Sequence, residues 1–95
     1  MSVYFVAQIS ITNEIEYSRY LDKCDEVFSK YSGKYLAVDN SPTVLEGKWK
    51  HNRMVIIEFS CESDFRSWYE SPEYQSILKH RLKGDLCDSL LVKGL

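Results

Sequence analysis

The stretch Arg53-Met54-Val55-Ile56-Ile57-Glu58-Phe59-Ser60 decides the fold. It is apolar at consecutive positions from Met54 to Ile57 and rich in β-branched residues, which reads as a strand covered on both faces. Val3 to Ile11 has the same character, with Val3, Phe5, Ala7, Ile9 and Ile11 on one face and Tyr4 and Val6 on the other. An antiparallel sheet with one wet face alternates apolar and polar residues, so these two strands need a lid on each side.

Immediately upstream, Thr43 to Lys50 reads as a strand, and His51-Asn52 reads as a two-residue hairpin loop. In that register Trp49 stands opposite Met54 and Leu45 opposite Glu58, and the aromatic helices place Trp49 and Glu58 on the helix side. Further upstream Lys34 to Val38 is extended, and Asp39-Asn40-Ser41-Pro42 favours a turn or irregular crossing. Asn13 followed by Glu16 resembles a capping box. It opens a helix with Tyr17, Tyr20, Leu21, Cys24, Val27, Phe28 and Tyr31 at spacings of three and four, ending near Gly33. Downstream, Phe65, Trp68 and Tyr69 share one side of a short helix. Ser71-Pro72 starts another, with Tyr74, Ile77, Leu78 and Leu82 in its stripe and Gly84 at its end. The last strand runs from Leu86 to Lys93, with Leu86, Leu90 and Val92 on one face and Cys87 and Leu91 on the other.

The order is β, α, β, β, broken α, β, in one domain over residues 1–95. It predicts an α+β fold of ferredoxin-like βαββαβ order, a four-stranded antiparallel sheet with the helices on one face. No helix remains to cover the second face, so the expected partner is a second copy, a homodimer through the sheet face.

Composition narrows the function classes. With 44% hydrophobic residues the chain has material for a core, and a net charge of −2 with both signs interleaved gives no support to nucleic acid or an anionic membrane as partner. The N-terminal apolar run, Val3 to Ala7, has no basic residue before it and no A-x-A-like cleavage site after it, so neither a signal peptide nor a membrane span is expected. Cys24, Cys61 and Cys87 are far apart and odd in number, which reads as reduced thiols in the cytoplasm. His51 and His80 have no second ligand at metal spacing, no glycine pair makes a phosphate loop, and no serine has a motif neighbour that marks a nucleophile. Neither a metal nor a cofactor is expected.

Glu58 is the candidate catalytic residue. A carboxylate at a strand centre is costly unless paired, and it reads either as a general base or polar anchor in a pocket, or as the ion-pair partner of Arg53, Arg66 or Arg81. The aromatic set of Tyr17, Tyr20, Trp49, Trp68, Tyr69 and Tyr74 serves either as core or as a pocket wall. Arg81, almost two turns beyond Tyr74, shares its helix face, where it makes a surface salt bridge or holds an acidic ligand. The candidate ligand-binding residues are therefore Tyr20, Trp49, Glu58, Trp68, Tyr74 and Arg81.

Five pieces in order, Tyr31-x-Gly33-Lys34-Tyr35-Leu36, Leu45-Glu46-Gly47-x-Trp49, Arg53-x-Val55-x-Ile57-Glu58-Phe59, Trp68-Tyr69-x-Ser71-Pro72-x-Tyr74-Gln75 and Arg81, resemble the bacterial family called domain of unknown function 1330, within the dimeric α+β barrel superfamily. The resemblance implies a ferredoxin-like protomer whose sheet packs on a partner's, and it supplies no reaction. The sequence departs from the family pattern at Ser32 and at Asp39-Asn40-Ser41, where a glycine and then an arginine with two glycines usually stand. An anion site resting on that arginine would be changed here. The expected function is binding or transforming a small organic molecule between sheet and helices; the alternative is a non-catalytic structural or stress-related dimer module.

Overall fold

A computed structural model describes all residues from Met1 to Leu95. The elements are β1 (Val3–Ile11), α1 (Glu14–Phe28), β2 (Lys34–Asp39), β3 (Arg53–Phe59), α2 (Glu62–Tyr69), α3 (Pro72–Gly84) and β4 (Asp85–Lys93). The strands form one antiparallel sheet in the order β2-β3-β1-β4. This is the expected ferredoxin-like α+β arrangement, with β1 between β3 and β4.

The β1–β3 register pairs Phe5 with Ile57, Val6 with Ile56 and Tyr4 with Glu58. Directly opposed residues of an antiparallel pair share a face. Val3, Phe5, Ala7, Ile9, Val55, Ile57 and Phe59 are accordingly buried beneath the helices. Tyr4, Val6, Gln8, Met54, Ile56 and Glu58 look the other way. Leu86, Leu90 and Val92, opposite Ser10, Val6 and Tyr4, join them on that open face and are exposed.

The aromatic residues make the core between sheet and helices. Trp68, Tyr74 and Phe59 are the largest fully buried side chains. The Trp68 ring stacks on Phe59 at 5.6 Å between centroids and lies 4.3 Å from that of Tyr74. The helix starts form as their residue types require. Asn13 Oδ1 accepts from the Glu16 amide at 3.1 Å, and Ser71 Oγ accepts from the Tyr74 amide at 3.0 Å with Pro72 in the first turn.

Several expectations are corrected. Helix α1 stops at Phe28 rather than near Gly33, because the Lys30 and Tyr31 amides tighten the chain onto the Val27 and Phe28 carbonyls. Leu82 is exposed, and Arg81 takes its place in the buried stripe of α3. Thr43 to Lys50 is not a strand and His51-Asn52 is not a hairpin turn. The partner of β3 is β2, with Asp39 opposite Met54, Val38 opposite Val55 and Tyr35 opposite Ile57, and a bulge between Tyr35 and Ala37. Two features keep 43–50 out of the sheet: Pro42 has no amide to donate, and Gly47 lies at φ +82, outside the extended region.

The long connection is instead pinned to the open face at its far end. Trp49 Nε1 donates to Gln8 Oε1 at 3.0 Å, and the Asn52 amide donates to the Ile9 carbonyl. His51 is buried, with Nδ1 2.9 Å from Ser10 Oγ and Nε2 2.8 Å from Asp88 Oδ2. His80, in the last turns of α3, places Nδ1 3.0 Å from Glu16 Oε2 on α1 and so ties the two helices together.

At the junction of α3 and β4, the Gly84 carbonyl accepts from both the Thr12 and Asn13 amides, and a Cβ at Gly84 would stand 2.7 Å from the Tyr17 backbone nitrogen. That neighbour is main chain and cannot swing aside. Gly84→Ala is therefore expected to cost about 1–3 kcal/mol of stability, read as a lower urea midpoint at unchanged slope.

Candidate functional site

A cavity of about 400 Å³ lies between α1 and the β1, β3 and β2 strands on the helix face of the sheet. Its floor is Phe5 and Ala7 of β1, Val55 and Ile57 of β3 and Val38 of β2. Tyr17, Tyr20, Leu21, Cys24 and Asp25 of α1 form one wall, with Trp68 of α2, Arg81 of α3, Tyr35 of β2 and Arg53 of β3 completing the lining. A space of this size, mostly apolar with a few polar groups, is of the kind that takes small molecules.

The polar groups have specific partners. Tyr20 and Tyr74 share a hydrogen bond between their hydroxyls at 2.9 Å, and Cys24 Sγ is 3.5 Å from the Tyr35 hydroxyl. Arg53 Nη1 donates to Asn40 Oδ1 at 2.6 Å while its guanidinium lies 5.8 Å from the centre of the Tyr17 ring. Arg81, only 4% exposed, donates from Nη1 to Cys87 Sγ at 3.2 Å. Asp85, the first residue of β4, is buried nearby with both carboxylate oxygens unpartnered.

Burial raises the phenol pKa of Tyr17, Tyr20, Tyr35 and Tyr74, with Arg53 acting against it at Tyr17 and Arg81 at Tyr74. These hydroxyls are neutral hydrogen-bonding groups at physiological pH, not bases. Burial likewise pushes up the Asp85 carboxyl and the Cys87 thiol, each opposed by the Arg81 charge. A thiol held protonated is a poor nucleophile. No histidine lines the cavity, and no group of three His, Cys, Asp or Glu side chains is placed to hold a metal ion.

The sequence-derived site residues separate into two places. Tyr20, Trp68 and Arg81 line the cavity, and Tyr74 stands behind it through its bond to Tyr20. Trp49 and Glu58 are on the opposite side of the sheet. The expectation that they face the helices is overturned by the β1–β3 register, which gives that side to Val55, Ile57 and Phe59. Glu58 stands between Tyr4 and Lys34 on neighbouring strands, and none of the expected arginines pairs with it. Arg66 bridges Glu62 and Glu70, Arg53 reaches Asn40, and Arg81 reaches Cys87. Nor is Arg81 a surface salt bridge. Among the cavity residues, Arg53, Tyr35 and Cys24 went unselected. Arg53 had a signal available, since it alternates in phase with Val55 and Ile57, and Cys24 had one in its place on the apolar stripe of α1.

Residues 2–95 match the family described as Domain of unknown function (DUF1330). The chain belongs to the DUF1330 family. No curated protein matches the sequence. Among solved structures, this DUF1330 chain is similar to a Rhodopseudomonas palustris protein of unknown function (17% identity, TM-score 0.81, covering 99% of this chain and 82% of that one). It is also similar to SnoaB, a cofactor-independent oxygenase from Streptomyces nogalater (17%, 0.68, 99% and 93%). A third is a dimeric protein of unknown function with a ferredoxin-like fold from Bacteroides fragilis (11%, 0.65, 98% and 96%). At these identities the likeness establishes the shared fold.

The buried phenols set the alkaline limit of stability. Below pH 10 they are protonated whether the chain is folded or not. Above about pH 10 the unfolded chain releases those protons and the folded one retains them, so stability falls as pH rises. In urea unfolding between pH 8 and 11.5, the double variant Tyr20→Phe with Tyr74→Phe is expected to show a shallower alkaline decline than wild type. At pH 7 each single change should cost about 1 kcal/mol, and the pair less than their sum.

Proposed function

We propose that this protein binds a small, largely apolar organic molecule, as ligand or substrate, in the cavity between α1 and the sheet. The observation that carries this reading is the cavity itself, about 400 Å³ left open beside a core otherwise filled with packed aromatic rings. A purely structural module has no use for that space and gains stability by filling it. The oxygenase SnoaB shares the fold, which is compatible with a substrate-sized site but assigns no reaction.

We infer as well that two copies pair through the open sheet face, where Leu86, Leu90 and Val92 are exposed beside Val6, Met54 and Ile56. Burial of such side chains is worth roughly 25 cal/mol per Å², and the Bacteroides relative is itself dimeric. The three free thiols fit a reducing compartment, and no helix is long and apolar enough to cross a membrane.

A thermal-shift screen of small aromatic and acidic compounds tests the cavity. Compounds that raise the melting temperature of wild type should do so equally for Glu58→Gln, which is remote from the cavity, and lose their effect in Leu21→Trp, which fills its rim. If no compound shifts wild type, or if Leu21→Trp responds as wild type does, the cavity is not the site. For the assembly, light scattering at micromolar concentration should give a dimer mass for wild type and a monomer mass for Leu90→Lys; a monomeric wild type refutes the pairing.

A further inference from the structure

Three buried nitrogen donors on residues lining the cavity have no hydrogen-bond acceptor: Arg53 Nε, Arg81 Nε and Trp68 Nε1. Every other buried side-chain donor is matched; the remaining unpartnered buried atoms are the two carboxylate oxygens of Asp85, which does not line the cavity. An orphan N–H is expensive, roughly 1–3 kcal/mol and more when charged, and proteins seldom keep three on residues around one cavity without use.

The charges point the same way. Each ion pair of the chain joins groups other than these two arginines, so no carboxylate lies within 4.0 Å of either guanidinium. Arg81 is 96% buried and takes only a thiol as partner, and Arg53 takes only an amide oxygen and the face of an aromatic ring. Asp85 offsets the Arg81 charge through space without bonding to it. Asp25 is the one acidic group in the lining, and it is exposed to water. A guanidinium remains protonated wherever it is buried, so two of them facing an apolar cavity leave a positive potential that a neutral ligand would not use.

We propose that the ligand is a planar aromatic molecule bearing a conjugated oxyanion, a carboxylate or enolate, whose oxygens accept from Arg53, Arg81 and Trp68 while its ring lies against Phe5, Ile57 and Tyr20. The inference deepens the cavity reading above and rests on it. Flat arginine forks suit a planar two-oxygen acceptor, and the aromatic walls suit the ring attached to it. Asn40 has a part in this: by accepting from Nη1 it holds the Arg53 side chain at the cavity.

Calorimetric titration of the full chain at pH 7.5 with 2-naphthoate and with its uncharged isostere 2-naphthamide separates the two readings. The acid is expected to bind wild type at least about tenfold tighter than the amide. That preference should collapse to within about threefold in Arg53→Gln and in Arg81→Gln, with the amide's affinity unchanged. Trp68→Phe keeps an aromatic side chain but loses the fused pyrrole with its N–H, and should weaken the acid more than the amide. If acid and amide bind wild type equally, the oxyanion proposal fails and the cavity reading survives; if neither binds at millimolar concentration, both fail. A preference that persists in both arginine variants would also overturn the proposal. Should Arg81→Gln lose its native circular dichroism, Arg53→Gln and Trp68→Phe decide the question.

Discussion

The structure depends on the pairing of β1 with β3, in which Phe5 stands opposite Ile57 and Val6 opposite Ile56. Side chains alternate along a strand, so a slip of one residue would carry every core residue to the open face. The register thereby sets the aromatic floor and decides on which side each charged group of β3 emerges. Arg53 falls in phase with the core and reaches the cavity, while Glu58 falls out of phase and does not. Both are single charges on one apolar strand, and only their parity separates them.

Parity also explains what was and was not legible in the sequence. Helix starts at Asn13 and Ser71, the order of elements and the apolar character of both sheet faces follow from residue type and local spacing, because capping and periodicity are short-range. The pairing of β2 is not short-range. Val38 and Val44 are both plausible edge residues, and nothing local says that the chain crosses from Asp39 to Arg53 through a segment outside the sheet. Taking Thr43–Lys50 as the partner strand puts Trp49 and Glu58 on a common face, and assigning that face to the aromatic helices carries both to the wrong side of the sheet. Tyr20, Trp68 and Arg81 escaped that error because their positions come from helical stripes, which do not depend on strand pairing.

Arg81 illustrates how a stripe can be read correctly and valued wrongly. Its spacing from Tyr74, Ile77 and Leu78 puts it on the buried face of α3, yet arginine is so seldom buried that a surface ion pair is the natural expectation. Its burial is made tolerable by surroundings the sequence does not reveal: a thiol from β4, a carboxylate at the strand's first residue, and phenols that burial keeps neutral. The departure at Asp39-Asn40-Ser41 acquires a local meaning as well. Asn40 is joined to the Arg53 side chain, so the altered segment touches the cavity's own cation rather than lying apart from it.

The two tryptophans end on opposite sides of the sheet. Trp68 is enclosed among Phe59, Phe5 and Tyr74 at the cavity, whereas Trp49 rests on Gln8 over the open face. The molecule therefore carries two native fluorophores with separate vantage points, one whose emission senses the interior and one whose emission senses whatever covers the sheet. Each can be silenced by a single aromatic exchange, so occupancy of the cavity and contact at the sheet can be followed independently in the unlabelled protein.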